Sequence, residues 1–252
     1  MKIIYCFVSS LLAISALSAQ VKKPLPPPVK IPFAESLQAI AVTTPDQTSI
    51  TGTAQLFERK AVNAKWKAVD KPFPVVVGRS GVAWARDSAP ETVSQFKAEG
   101  DGKSPAGMFP LTFAFGTSVK PEQVTVPYTR LEQYTECVDD VKSSHYNTIV
   151  DRMKVGNFDW KSSEKMLAVG APYDIGVFVA YNSYPVNRGA GSCIFLHVWN
   201  GPTSPTSGCT AMDRLKLERI LTWLEPKSNP YLVQMTEQDY RSMAKKWNLP
   251  KI

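Results

Sequence analysis

Ile194-Phe195-Leu196-His197-Val198-Trp199, then Asn200-Gly201-Pro202-Thr203-Ser204-Pro205-Thr206-Ser207, then Gly208-Cys209-Thr210-Ala211-Met212 carries three local signals in a row. The apolar run with one histidine reads as a strand, the Gly/Pro/Ser/Thr-rich segment as a turn-forming loop, and the cysteine as lying just ahead of a helix. A thiol with an ordinary pKa of about 8.5 is mostly protonated at neutral pH. It becomes a useful nucleophile where an imidazole or a helix N-terminus favours the thiolate. Cys209 is a candidate for both kinds of help. Across residues 213–224, Leu217, Ile220, Leu221 and Leu224 fall on one helical face, so a helix is expected close after Cys209, with free N–H groups near the sulfur. Gly208 permits close backbone approach, and the amides from Gly208 to Thr210 are candidates to hold an oxyanion.

Taken singly, these residues have plainer readings. A histidine in an apolar strand is commonly a hydrogen-bonded core residue, and a buried cysteine a small hydrophobe. A Gly-Cys turn ahead of a helix, with a histidine close to it in sequence, points instead to a nucleophile and its base.

Three upstream stretches add to this pattern: Gly78-Arg79-Ser80-Gly81-Val82-Ala83-Trp84, Glu99-Gly100-Asp101-Gly102-Lys103-Ser104-Pro105-Ala106-Gly107-Met108-Phe109, and Gly189-Ala190-Gly191-Ser192-Cys193-Ile194-Phe195-Leu196-His197. With the Ser/Thr-x-Gly-Cys turn at Thr206–Cys209, they resemble YkuD-type L,D-transpeptidases over roughly residues 37–225, in the expected order. Two departures stand out. Many members have histidine before the glycine and a basic or amide residue two after the cysteine, where this chain has Ser207 and Ala211. The His-to-Cys interval is also shorter than in the commonest form, and Gly-Cys-x-Ala-Met is similar to a side branch that includes hydrolases of the same wall peptides.

The resemblance implies a mostly β, curled sandwich-like fold with a few helices, and acyl transfer through a Cys209 thioester with His197 as acid and base. The substrate would be a peptidoglycan stem peptide, cut at the L,D bond after meso-diaminopimelate. The acceptor would be an amine of a neighbouring stem or of a wall-anchored protein. Water as acceptor gives an L,D-carboxypeptidase or amidase, and a non-catalytic wall-binding protein is the third reading. No cofactor and no metal are implied. Ser207, Gly208 and Thr210 border the cysteine; Ser192, Arg188 and Asn182 lie in the stretch leading to His197 and are further candidates for substrate contact. Arg188 could replace the missing basic residue, or be a solvated turn residue. No side-chain carboxylate is identifiable as the partner of His197, so a backbone carbonyl is expected there.

Outward from this centre, residues 1–19, with Lys2 ahead of an apolar run and small residues at the end, read as a secretory signal peptide. Residues 20–35, rich in proline, read as a stiff tether. Residues 36–252 are expected to form one catalytic domain, exported to the periplasm or cell wall, with no membrane span. Strands are expected at 37–43, 49–58, 73–78, 109–115, 175–181 and 193–199, with a weaker one at 66–69 and an edge strand at 231–235. Helices are expected near 162–168, at 213–224 and at 236–247, the last opened by Thr236 and Asp239. The Gly-rich segment 99–107 lacks phosphate-loop spacing and reads as a tight connection near the cleft.

Of four cysteines, Cys6 lies in the signal segment, leaving Cys137, Cys193 and Cys209. In an oxidising compartment an odd count favours one pair and one free thiol. If Cys209 is the nucleophile, Cys137 and Cys193 are the pair; three reduced thiols are the alternative. Cys137, Asp139, Asp140 and His145 form a rival metal-like constellation without a known ligand pattern, and the stretch reads instead as a loop bordering the cleft with Asp139 or Asp140 shaping it. The formal charge of +7, or +6 without Lys2, is spread along the chain, which argues against a dedicated nucleic-acid surface.

Overall fold

A computed structural model describes residues 32–252; the expected signal peptide and the tether up to residue 31 lie outside the described residues. The first elements are β1 (Gln38–Thr44), β2 (Thr51–Glu58), the short β3 (Lys67–Ala68) and β4 (Phe73–Val76). Then come β5 (Val82–Trp84), the long β6 (Ser104–Gly116), β7 (Tyr128–Arg130), β8 (Thr135–Val138), β9 (Ile149–Asp151) and β10 (Ser163–Lys165). The chain continues through β11 (Ile175–Val179), β12 (Phe195–Val198), β13 (Thr210–Met212), helix α1 (Arg214–Trp223), β14 (Tyr231–Thr236) and helix α2 (Glu237–Met243).

The chain is mostly β, and its main sheet curls until its ends meet. The pairing runs β1-β14-β6-β11-β12-β13-β4-β2, and β2 pairs back onto β1, closing a ring of eight strands. Period-two alternation explains what each face buries. In β1, Ile40 and Val42 join the cluster inside the ring, whereas Ala39 and Ala41 join an outer layer with Tyr231, Val233 and Tyr240. Every ring strand sends apolar residues inward, and Leu217, Ile220, Leu221 and Leu224 of the α1 segment pack into that core. A second outer layer lies over β11 and β12, where a three-stranded sheet, β10-β8-β9, and the 3-10 turns Met166–Val169 and Ala171–Tyr173 cover Phe115, Phe178 and Phe195.

Several expectations need correction. The strand at 231–235 is not an edge: β14 pairs with β1 on one side and β6 on the other, and all six of its residues are buried. Segment 162–168 is not a helix; Ser163–Lys165 pairs antiparallel with β8, and only the following residues make a 3-10 turn. The second half of segment 99–107 is strand, because Ser104 to Ala106 pair with β5. Helix α2 stops at Met243, short of 247, although Thr236 caps it as expected by accepting from the Asp239 amide. Within the expected tether, Phe33 is buried against Trp66 and Tyr231.

Candidate active site

The site grows from the parallel β12–β13 pair, registered as Leu196 with Thr210, His197 with Ala211 and Val198 with Met212. Alternation sends Leu196, Val198 and Met212 into the ring and leaves Phe195, His197, Cys209 and Ala211 on its outer side. Cys209 therefore sits one step before a strand, not before a helix. The expected helix N-terminus at the sulfur is absent, because residues 210–212 are claimed by β12 and β4, and α1 begins only after Asp213, whose carboxylate accepts from the Leu215 amide. The donor at the sulfur comes from β12: the Phe195 amide points at Cys209 Sγ at 3.3 Å. The thiol in turn faces the Cys193 carbonyl at 3.5 Å. Cys193 is bonded to Cys137, and Cys209 is the free cysteine among the described residues.

The turn before the cysteine is held by hydroxyls. The Cys209 carbonyl accepts from Ser104 Oγ at 2.8 Å and from Thr206 Oγ1 at 2.6 Å. Ser104 Oγ also accepts from the Gly78 amide at 2.9 Å, tying three segments together. Gly208 adopts φ +153°, and a Cβ there would lie 3.1 Å from the Lys103 carbonyl oxygen, so the position favours glycine on both counts. Its amide donates to Thr206 Oγ1 at 3.1 Å and is already engaged, which removes it from the expected oxyanion donors.

Cys209 and His197 both line one cavity of about 520 Å³. His197 Nδ1 lies 2.8 Å from the Val198 carbonyl, the backbone partner expected from sequence. A carbonyl can only accept, so Nδ1 carries the proton and Nε2 keeps its lone pair. Burial lowers the His197 pKa below its ordinary value, with the Val198 bond opposing, and burial pushes the Cys209 thiol well up, with the charge of Glu164 adding and the Phe195 amide and Tyr173 hydroxyl opposing. The resting pair is a neutral thiol and a neutral imidazole. Gly176, opposite His197 on β11, must lack a side chain, since a Cβ would meet the Phe115 ring at 2.2 Å.

Ser192, Ser207 and Gly208 line this cavity. Three candidates do not. The Thr210 hydroxyl points to the opposite face and donates to Gln234 Oε1 at 2.6 Å. Asn182 organises a turn, donating to the Asn187 and Gly191 carbonyls. The Arg188 guanidinium donates to the Val141 and Lys142 carbonyls instead of replacing a basic residue near the cysteine. Of the rival constellation, Asp139 lines the cavity, Cys137 is bridged, Asp140 accepts from the Lys142 and Lys161 amides, and His145 packs on Trp160.

Sequence reasoning singled out none of Arg79, Lys97, Glu99, Glu164 and Tyr173 of the cavity wall, although Glu99 opens the segment read as lying near the cleft. Lys97 pairs with Asp101 at 2.7 Å, and Glu99 Oε2 accepts from the Ser192 hydroxyl at 2.7 Å. Tyr173 donates to Glu164 Oε2 at 2.6 Å. Glu164 lies on a three-residue strand, too short to show alternation. The only local hint is Ser192, already a candidate, whose partner is remote in sequence.

A closed β-rich scaffold thus presents a buried thiol and an imidazole to one cleft. The chain belongs to the L,D-transpeptidase catalytic domain family, whose model, YkuD, matches residues 53–234 and so spans both His197 and Cys209. It is an L,D-transpeptidase-type enzyme of a family that acts on peptidoglycan peptides. No curated protein matches it in sequence.

Proposed function

We propose that residues 36–252 act as an exported cysteine acyl-transferase on peptidoglycan stem peptides, with Cys209 as nucleophile and His197 as acid and base. The observation that carries this reading is the placement of the unbridged cysteine and the histidine on one face of adjacent strands, lining one cavity. Substrate displaces water, and the thiol proton passes to His197 Nε2, the nitrogen left free by the Val198 bond. The sulfur attacks the carbonyl carbon after meso-diaminopimelate, with the Cys209 amide as the proposed oxyanion donor. Collapse expels the D-amino acid, which takes the proton from His197. An amine of a neighbouring stem, or of a wall-anchored acceptor protein, then resolves the thioester, and His197 accepts its proton. Export is supported by the Cys137–Cys193 disulfide, a bond at home in an oxidising compartment.

Purified protein incubated with sacculi tests this. New diaminopimelate-to-diaminopimelate crosslinks in the muropeptide profile, absent with Cys209→Ala, are the expected result. Shortened stems without crosslinks would make the enzyme a hydrolase. Unchanged muropeptides with retained binding would leave only a wall-binding protein.

A further inference from the structure

Glu164 occupies the middle of β10. Its neighbours Ser163 and Lys165 both reach Glu136 on one side of the small sheet, so Glu164 is turned the other way, into the cavity that holds Cys209. There its Oε2 accepts from the Tyr173 hydroxyl at 2.6 Å. Tyr173 and Cys209 share one buried cluster and line the same cavity, and the Tyr173 ring meets the His197 imidazole edge-on with centroids 5.3 Å apart. A phenol has one proton to donate. While Glu164 is ionised, that proton is committed to the carboxylate and is not available to stabilise a thiolate.

We propose that Glu164 is a positioning residue for Cys209, acting through the single hydroxyl proton of Tyr173. Ionised Glu164 holds the sulfur as a thiol; protonated Glu164 frees the Tyr173 hydroxyl to donate to the thiolate. The inference rests on Cys209 being the nucleophile. It balances in protons: the proton that neutralises Glu164 comes from the thiol or from solvent, and the pair carries one negative charge, on carboxylate or on sulfur. Two like charges facing each other in a desolvated wall are disfavoured. Asp139, in the turn after β8, and Glu99, in the loop before β6, add negative charge around Glu164, while Lys97 on that loop and His197 on β12 face the same cavity. Withdrawal from solvent, opposed by the Tyr173 bond and reinforced by Asp139 and Glu99, pushes the Glu164 pKa up to about 7, so the exchange falls near neutral pH.

The test is alkylation of Cys209 by iodoacetamide in the full chain, read at that residue by mass spectrometry from about pH 5.5 to about 9.5. In the wild type the rate rises about tenfold per pH unit below about pH 7 and flattens above it, because ionising the sulfur then requires Glu164 to take up a proton. With Glu164→Gln the rise continues through neutrality, and at about pH 9 the rate exceeds the wild type about a hundredfold. Glu164→Asp keeps the flattening, and Tyr173→Phe slows alkylation most below pH 7. A wild-type rate that climbs uninterrupted through neutrality overturns the proposal without any variant, as does flattening retained by Glu164→Gln. A flattened profile in protein that leaves sacculi unchanged would overturn the acyl-transfer reading above, leaving the proton coupling between Glu164 and Cys209 without a catalytic role.

Discussion

Alternate residues of the β12–β13 pair meet two different interiors. Leu196, Val198, Thr210 and Met212 face the inside of the ring, where they touch other apolar side chains or, for Thr210, the buried Gln234. Phe195, His197, Cys209 and Ala211 face outward beneath the second sheet, where tyrosine, glutamate and lysine share the wall. Burial is nearly equal on the two sides: Leu196 is 0% exposed and Cys209 7%. Its effect is opposite. Inside, removal from water stabilises the fold; outside, it sets the proton affinities of groups that have to change charge.

Paired substitutions across the strands test that contrast, the largest effect first. Cys209→Ala should lower crosslinking turnover by about 10³-fold or more while shifting the urea midpoint little, because the nucleophile is lost and only a small volume removed. Leu196→Ala, one strand away on the inner face, should do the reverse, losing about 2–5 kcal/mol in urea unfolding while leaving the Cys209 thiol intact. Comparable stability losses from both would break the contrast.

Ser104→Ala probes the seam between the faces. It removes a buried hydroxyl that donates to the Cys209 carbonyl and accepts from the Gly78 amide, so about 1–3 kcal/mol of stability should be lost, and kcat should fall more than KM changes. An unaltered kcat would mean that the turn is held by Thr206 alone.

Acid pH should sharpen the outer face further. The His197 pKa is lowered from 6.5 in the folded chain, so its contribution to stability is full above about 6.5 and is lost as pH falls through the lowered value. The acid limb of kcat/KM should accordingly lie below the ordinary histidine range. Glu164 runs the other way: its pKa is raised from 4.5, so its favourable share is present below that value and lost as pH rises through about 7. Thermal melts of Glu164→Gln should show stabilisation relative to wild type above neutrality and none at about pH 4.

The smallest effect concerns the helix once expected at the sulfur. Asp213→Ala removes the α1 cap and should cost about 1 kcal/mol, with the Cys209 alkylation profile unmoved. A shifted profile would restore the helix to a role at the thiol.

The parts legible from sequence were those written locally. An apolar run with one histidine gave β12, leucines at helical spacing gave α1, and Thr206-Ser207-Gly208-Cys209 gave the turn that binds its own cysteine carbonyl. What failed depended on remote partners. Thr210-Ala211-Met212 is too short to declare itself a strand, and becomes one because β12 and β4 flank it. Arg188 is close to His197 along the chain, yet two carbonyls from the loop after Val138 capture its guanidinium. Tyr173 and Glu164 join the wall of the Cys209 cavity only because the small sheet and the turns after it fold back over the ring.

That ring has a further consequence for assembly. β14, near the end of the described chain, enters between β1 and β6 from its first half, so the circle cannot be completed until one of its last segments arrives. A chain stopped before Tyr231 would keep two long exposed edges, each a template for a neighbouring molecule, and should precipitate instead of persisting as a smaller soluble version of itself.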